Sequence, residues 1–94
     1  MQELTGTFAT PNGSKYLQQL CKHFSHKINV EYSETEGVCS FPMGQAFLSA
    51  DADGLTVRFE LEDAETVDRA RSVIDSHLAR FAFRENFETM AWSD

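Results

Sequence analysis

Basic residues are scarce in this chain, and long apolar runs, cysteine pairs and glycine-rich loops are absent. Eight lysines and arginines face 15 aspartates and glutamates, for a formal net charge of −7. Nucleic-acid affinity comes mainly from neutralised phosphates, so this balance argues against a nucleic-acid partner. The same balance argues against an anionic membrane surface. No apolar stretch approaches the length of a membrane span, and the first twenty residues lack the basic start and apolar run of a secretory signal. The two cysteines, Cys21 and Cys39, form no Cys-x-x-Cys motif. Free thiols in a reducing cytoplasm are therefore expected. No glycine-rich phosphate loop, nucleophile elbow or Ser/His/Asp triad is present, and no cofactor is expected.

What remains is the composition of one small globular domain over residues 1–94, with 41% hydrophobic residues and eight phenylalanines. That supply of large apolar side chains is enough for one core. Thr5 to Thr10 reads as a strand, interrupted at Pro11. Either Asn12 or Ser14 is positioned to cap a following helix. Tyr16, Leu17, Leu20, Cys21 and Phe24 then recur at helical spacing. Four segments with period-two alternation follow: 28–32, 38–41, 45–50 and 55–61. Asp53-Gly54 between the last two is a hairpin signal, and the half-polar alternation implies an antiparallel meander with one face in water. Asp63 opens a second helix whose stripe runs through Val67, Ala70, Ile74, His77, Leu78 and Phe81. The tail from Phe83 to Trp92 has enough apolar residues for a closing strand or a packed arm.

The expected fold is thus α+β, in the order β-α-β-β-β-β-α with an optional last strand. Its antiparallel sheet carries two helices on one face, a topology like that of the TATA-binding-protein half-repeat. That likeness concerns chain path alone.

The basic residues and histidines gather unusually. Lys22, His23, His26 and Lys27 close the first helix, while His77, Arg80 and Arg84 close the second. Cations at helix C-termini offset the dipole, which accounts for the pattern without a ligand. Convergence of the two ends would instead build a basic site, in which arginine forks take an anion and a histidine supplies a switchable proton. Lys22, His23, His77, Arg80 and Arg84 are the candidate ligand residues of such a site. No metal centre is expected. In Cys21-x-His23-x-x-His26 the first two side chains point to different sides of a helix, and nearby lysines repel a cation. Ser49 to Gly54, with Glu60 beyond, approaches a calcium loop, but Ser49 stands where the first ligand should be Asp, and strands flank it where helices are required.

Two stretches, Ser14-Lys15-Tyr16-Leu17-Gln18-Gln19-Leu20-Cys21-Lys22-His23-Phe24-Ser25-His26-Lys27 and His77-Leu78-Ala79-Arg80-Phe81-Ala82-Phe83-Arg84-Glu85, resemble the signature segments of the bacterial domain of unknown function family 2218. The resemblance spans nearly the whole chain. It implies small bacterial cytoplasmic proteins of this length, sometimes found with siderophore-related proteins, but no particular reaction. Some members carry the label 2,4-dihydroxyhept-2-ene-1,7-dioic acid aldolase. Aldolases so named are metal-dependent barrels of about 200 residues or more, so that label does not suit a chain of 94 residues with antiparallel hairpins.

Three functional expectations follow. The first is a non-enzymatic binding or accessory domain for a small anion, an iron-chelate or an acidic segment of a siderophore-related protein. The second is a small enzyme using His77 as general acid or base on a carboxylate. The third is homo-oligomeric assembly through a sheet edge or the aromatic tail around Phe87 and Trp92. The oligomeric state itself stays open.

Overall fold

The computed structural model describes residues 2–93. Strand β1 (Gln2–Ala9) leads into helix α1 (Gly13–Phe24), followed by β2 (Val30–Tyr32), β3 (Glu36–Phe41), β4 (Gly44–Ala50) and β5 (Gly54–Leu61). A 3-10 turn at Ala64–Thr66 then runs into α2 (Val67–Phe81). A second 3-10 turn at Phe83–Glu85 precedes the closing strand β6 (Ala91–Ser93). The strands form one antiparallel sheet in the order β2-β3-β4-β5-β1-β6. This is the expected α+β architecture, and the tail does close the sheet.

Period-two patterning decides which sheet face the helices cover. Leu55, Val57, Phe59 and Leu61 of β5 are buried, whereas Thr56, Arg58 and Glu60 face outward. Each large apolar side chain so buried contributes about 1.5–3 kcal/mol relative to exposure. On the open face, Arg58 lies 4.6 Å from the Phe47 ring centroid and donates to Glu60 at 2.8 Å. The β4–β5 turn is a hairpin in which Asp51 Oδ1 accepts the backbone N–H groups of Asp53 and Gly54. Those bonds occupy the carboxylate that resembled a calcium ligand.

Helix α1 buries the whole predicted stripe: Tyr16, Leu17, Leu20, Cys21 and Phe24. Cys21 meets Cys39 of β3 with 4.0 Å between their sulfurs, both fully buried. Gly37 makes room for this contact, since a Cβ there would lie 2.7 Å from Cys21 Sγ. The stripe of α2 is narrower than the sequence indicates. Val67, Ala70, Ile74 and Leu78 are buried, but His77 and Phe81 are only half-buried at its margin.

The helix starts also differ from expectation. Neither Asn12 nor Ser14 caps α1 through its side chain. Asn12 bonds Glu85, and Ser14 donates to the Glu34 carbonyl at 2.6 Å. Long-range partners have won over local capping. Asp63 does cap, but it caps the 3-10 turn through Glu65 N rather than α2 itself.

The C-terminal arm is not a free aromatic tail. Phe87 and Met90 are buried, and the Trp92 indole lies against Gly6, where a Cβ would come within 2.6 Å of the ring. Asp75 of α2 fastens the arm. Its carboxylate accepts from Trp92 Nε1 at 3.0 and 3.2 Å, Met90 N at 3.1 Å and Thr89 Oγ1 at 2.7 Å. Asp75→Ala is expected to cost about 1–3 kcal/mol. It should also accelerate amide exchange in 89–93 far more than in β4 and β5, as hydrogen-exchange NMR would show.

Candidate functional site

The two helices run antiparallel, as three contacts show. His23 faces His77 with ring centroids 4.7 Å apart, and His23 lies 6.4 Å from Phe81. Tyr16, two turns earlier in α1, bonds Glu85 beyond the end of α2. The last turn of α1 therefore lies against the C-terminal third of α2, where His77 and Phe81 stand, while Arg84 and Glu85 continue past it toward the start of α1. That contact gathers part of the cluster drawn from the sequence and leaves part of it outside.

Of the five candidate residues, the structure brings His23 and His77 together. Arg80 is exposed but close enough for its charge to act on His23. Lys22 is exposed and takes no part in the contact. Arg84 is carried to the other end of the helix pair, where its guanidinium sits 5.6 Å from the Phe83 ring centroid.

Beside the histidine pair is a groove of about 280 Å³, between the end of α1, one side of α2 and the β3–β4 turn. Phe24, Ile28, Phe41, Pro42, Met43 and Val73 supply apolar lining, and Lys27 and Arg69 add positive charge. Phe24 packs edge-on against both Phe41 and His77, with centroids 5.0 and 5.1 Å away. Arg69, Val73 and His77 follow one another at four-residue intervals, which places them on one side of α2. That spacing was readable in the sequence. The contribution of Phe41, Pro42 and Met43 was not, because it depends on how the β3–β4 turn folds against α1. Larger hollows exist, but they are less suited to a ligand. One of about 420 Å³ lies on the open sheet face, where Arg58 is already engaged by Glu60 and Phe47. Another of about 500 Å³ is a more open continuation sharing Lys27, Ile28, Phe41 and Pro42.

The histidine pair has a defined hydrogen pattern. His77 Nδ1 is 2.6 Å from the Val73 carbonyl, and a carbonyl only accepts, so Nδ1 carries the hydrogen. In the neutral ring, Nε2 is then the acceptor. Among the described residues, neither Nε2 of His77 nor either nitrogen of His23 has a protein hydrogen-bond partner. Desolvation holds the His23 pKa below 6.5, and the nearby charges of His77, Lys27, Arg80 and His26 add to this. Protonating His23 would add another cation to a cationic neighbourhood. Among the described residues, no three metal-ligating side chains come together.

At the opposite end, Glu85 accepts from Thr10 Oγ1 at 2.7 Å, Asn12 Nδ2 at 3.1 Å and the Tyr16 hydroxyl. Thr10 is buried and also accepts Asn12 N. The hydrogen bonds from Tyr16 and Thr10 hold the Glu85 carboxyl below 4.5, against the opposing effect of burial. Burial raises the Tyr16 pKa above 10, helped by its bond to Glu85 and that group's charge. This cluster joins the end of α2 to the start of α1. Sequence reasoning missed it because its partners lie about 70 positions apart.

Two predictions follow. A carboxylate with a depressed pKa contributes stability above its ordinary value and loses it as pH falls. A tyrosine with a raised pKa contributes stability below pH 10 and loses it as pH rises. Tyr16→Phe should therefore cost about 1–2 kcal/mol near neutrality. It should also abolish the alkaline loss due to this residue and move the acid limb toward 4.5, measured by denaturation across pH. Separately, the His23 ring protons should titrate with a midpoint below 6.5 by NMR.

Residues 5–93 match a family described as "Uncharacterized protein conserved in bacteria (DUF2218)". The chain is similar to PA4090 from Pseudomonas aeruginosa, whose NMR structure it matches at a TM-score of 0.80 and 29% identity. That match covers 99% of this chain and 96% of the other. No curated protein matches.

Proposed function

The chain belongs to this bacterial family, and from that premise we propose that it is a small non-enzymatic binding domain for an apolar anion. The observation that carries the reading is the groove beside His23 and His77, where an aromatic lining meets Lys27 and Arg69. Neither cation makes an ion pair among the described residues, although the chain has 15 acidic side chains. A carboxylate on an apolar body would satisfy both features at once. Size narrows the choice. At about 280 Å³ the groove lies just below the span of drug-sized sites, about 300–1,000 Å³. It exceeds the roughly 150 Å³ cavity that accepts benzene. A monocyclic aryl acid is of the right dimensions.

Catalysis by His77 is the second reading, favoured by the fixed Nδ1 hydrogen and by the ring's place on the groove wall. General acid–base work is helped when a carboxylate orients the imidazole. Here the partner is the Val73 carbonyl, and no carboxylate bonds either ring among the described residues. Binding without reaction therefore has the better support.

Titration with phenylacetate, followed by amide NMR, tests the proposal. Saturable shifts are expected in 23–28, 41–43 and 69–77. The double variant Lys27→Gln/Arg69→Gln should weaken binding about tenfold, as expected if each lost charge contributes about 0.7 kcal/mol. Arg84→Gln should leave it unchanged. Shifts confined elsewhere, or affinity indifferent to the double variant, would overturn the proposal.

A further inference from the structure

The groove reading leaves one chemical feature unused, namely the acceptor edge of His77. Its Nδ1 hydrogen is committed to the Val73 carbonyl at 2.6 Å, and the Ser76 hydroxyl lies at 3.5 Å from the same nitrogen. Both partners of the ring are therefore on the Nδ1 side, toward the preceding turn of α2. Nε2, across the ring, has no partner among the described residues, while the ring itself lines the groove. Lys27 and Arg69 are donors but neither bonds Nε2, and the apolar lining residues Phe24, Phe41, Met43 and Val73 offer no side-chain hydrogen-bond donor. His23 lies beside the ring but makes no hydrogen bond with it, the two planes being tilted by 48°. A ligand with only an anionic group would satisfy the cations and, by covering the half-buried ring, cut the acceptor off from water with no partner. Leaving such a group unmatched is costly, and this is how polar sites reject analogues lacking the matching donor.

We infer that the preferred ligand is a hydroxyaryl carboxylate, its ring over Phe24 and Phe41, its carboxylate toward Lys27 and Arg69, and its hydroxyl donating to Nε2 of His77. This rests on the binding function proposed above and deepens it. His77 becomes the residue that sets specificity, and the cations set affinity. Phe24, edge-on to both Phe41 and His77, holds the aromatic lining and the imidazole in one unit.

The test compares phenylacetate with its three ring-hydroxylated isomers, which share charge and body and differ in the position of the donor. Wild-type protein should bind at least one isomer about three- to tenfold more tightly than phenylacetate. His77→Phe keeps an aromatic ring at the site and removes the acceptor. It should retain phenylacetate binding and lose the preference. On unmodified protein, long-range proton–nitrogen spectra should show the Nε2 resonance shifting with the favoured isomer and not with phenylacetate. Equal binding of all four acids to wild type overturns the hydroxyl assignment and leaves the groove reading intact. A preference that survives in His77→Phe, or an Nε2 resonance unmoved by the favoured isomer, also overturns it. Failure of every acid to bind overturns the groove reading and this inference with it.

Discussion

Glu85 lies just beyond the end of α2, yet its three side-chain donors all come from the start of α1 or the residues leading into it: Thr10, Asn12 and Tyr16. A carboxylate bonded this way fixes both the distance and the direction between two helices otherwise held by nonspecific apolar contact. With that end pinned, the seven-position step from Tyr16 to His23 spans two turns of α1 and delivers His23 to His77 on the antiparallel neighbour. The groove depends in turn on that meeting. Its lining comes from α1, α2 and the β3–β4 turn, and no one of these elements makes a pocket alone.

The two ends of the helix pair handle charge in opposite ways. At the Glu85 end a carboxylate is surrounded by donors and kept ionised. At the other end two imidazoles sit among Lys27, Arg69 and Arg80, and additional positive charge on His23 is resisted. In a protein of net charge −7, that pocket of cations, unpaired among the described residues, is a local reversal of the overall field. Helix-dipole compensation explains cations near the last turn of α1. It does not explain Arg69, which lies near the start of α2, where a cation is disfavoured.

Much of the fold was legible in local patterning. Alternation in β5, the stripe of α1 and the Asp53-Gly54 hairpin each depend on neighbours close in the chain. The signals that misled were those in which a distant partner outbid a local one. Asn12 reads as a cap and instead bonds Glu85; His77 and Phe81 read as core and instead sit at the margin of the stripe. His23 and His77 read as members of one cluster, but the direction of the second helix relative to the first is not readable, so Arg84 is grouped with them and Arg69 is overlooked. Antiparallel packing is set by Glu85 and by the sheet order, and neither leaves a mark in the spacing of basic residues.

The pairing of β1 with β6 has an architectural consequence. Thr5 is registered against Ser93, so Gln2 stands only three residues along the sheet from the last strand, about 10 Å at the usual rise. The two ends of the described chain thus emerge near each other on the β1–β6 side of the sheet, at the same strand end as the β3–β4 turn, since Gln2 and Gly44 both pair with Leu61. A domain with that arrangement can be spliced into a surface loop of another protein, or closed and reopened elsewhere, with its strand order kept.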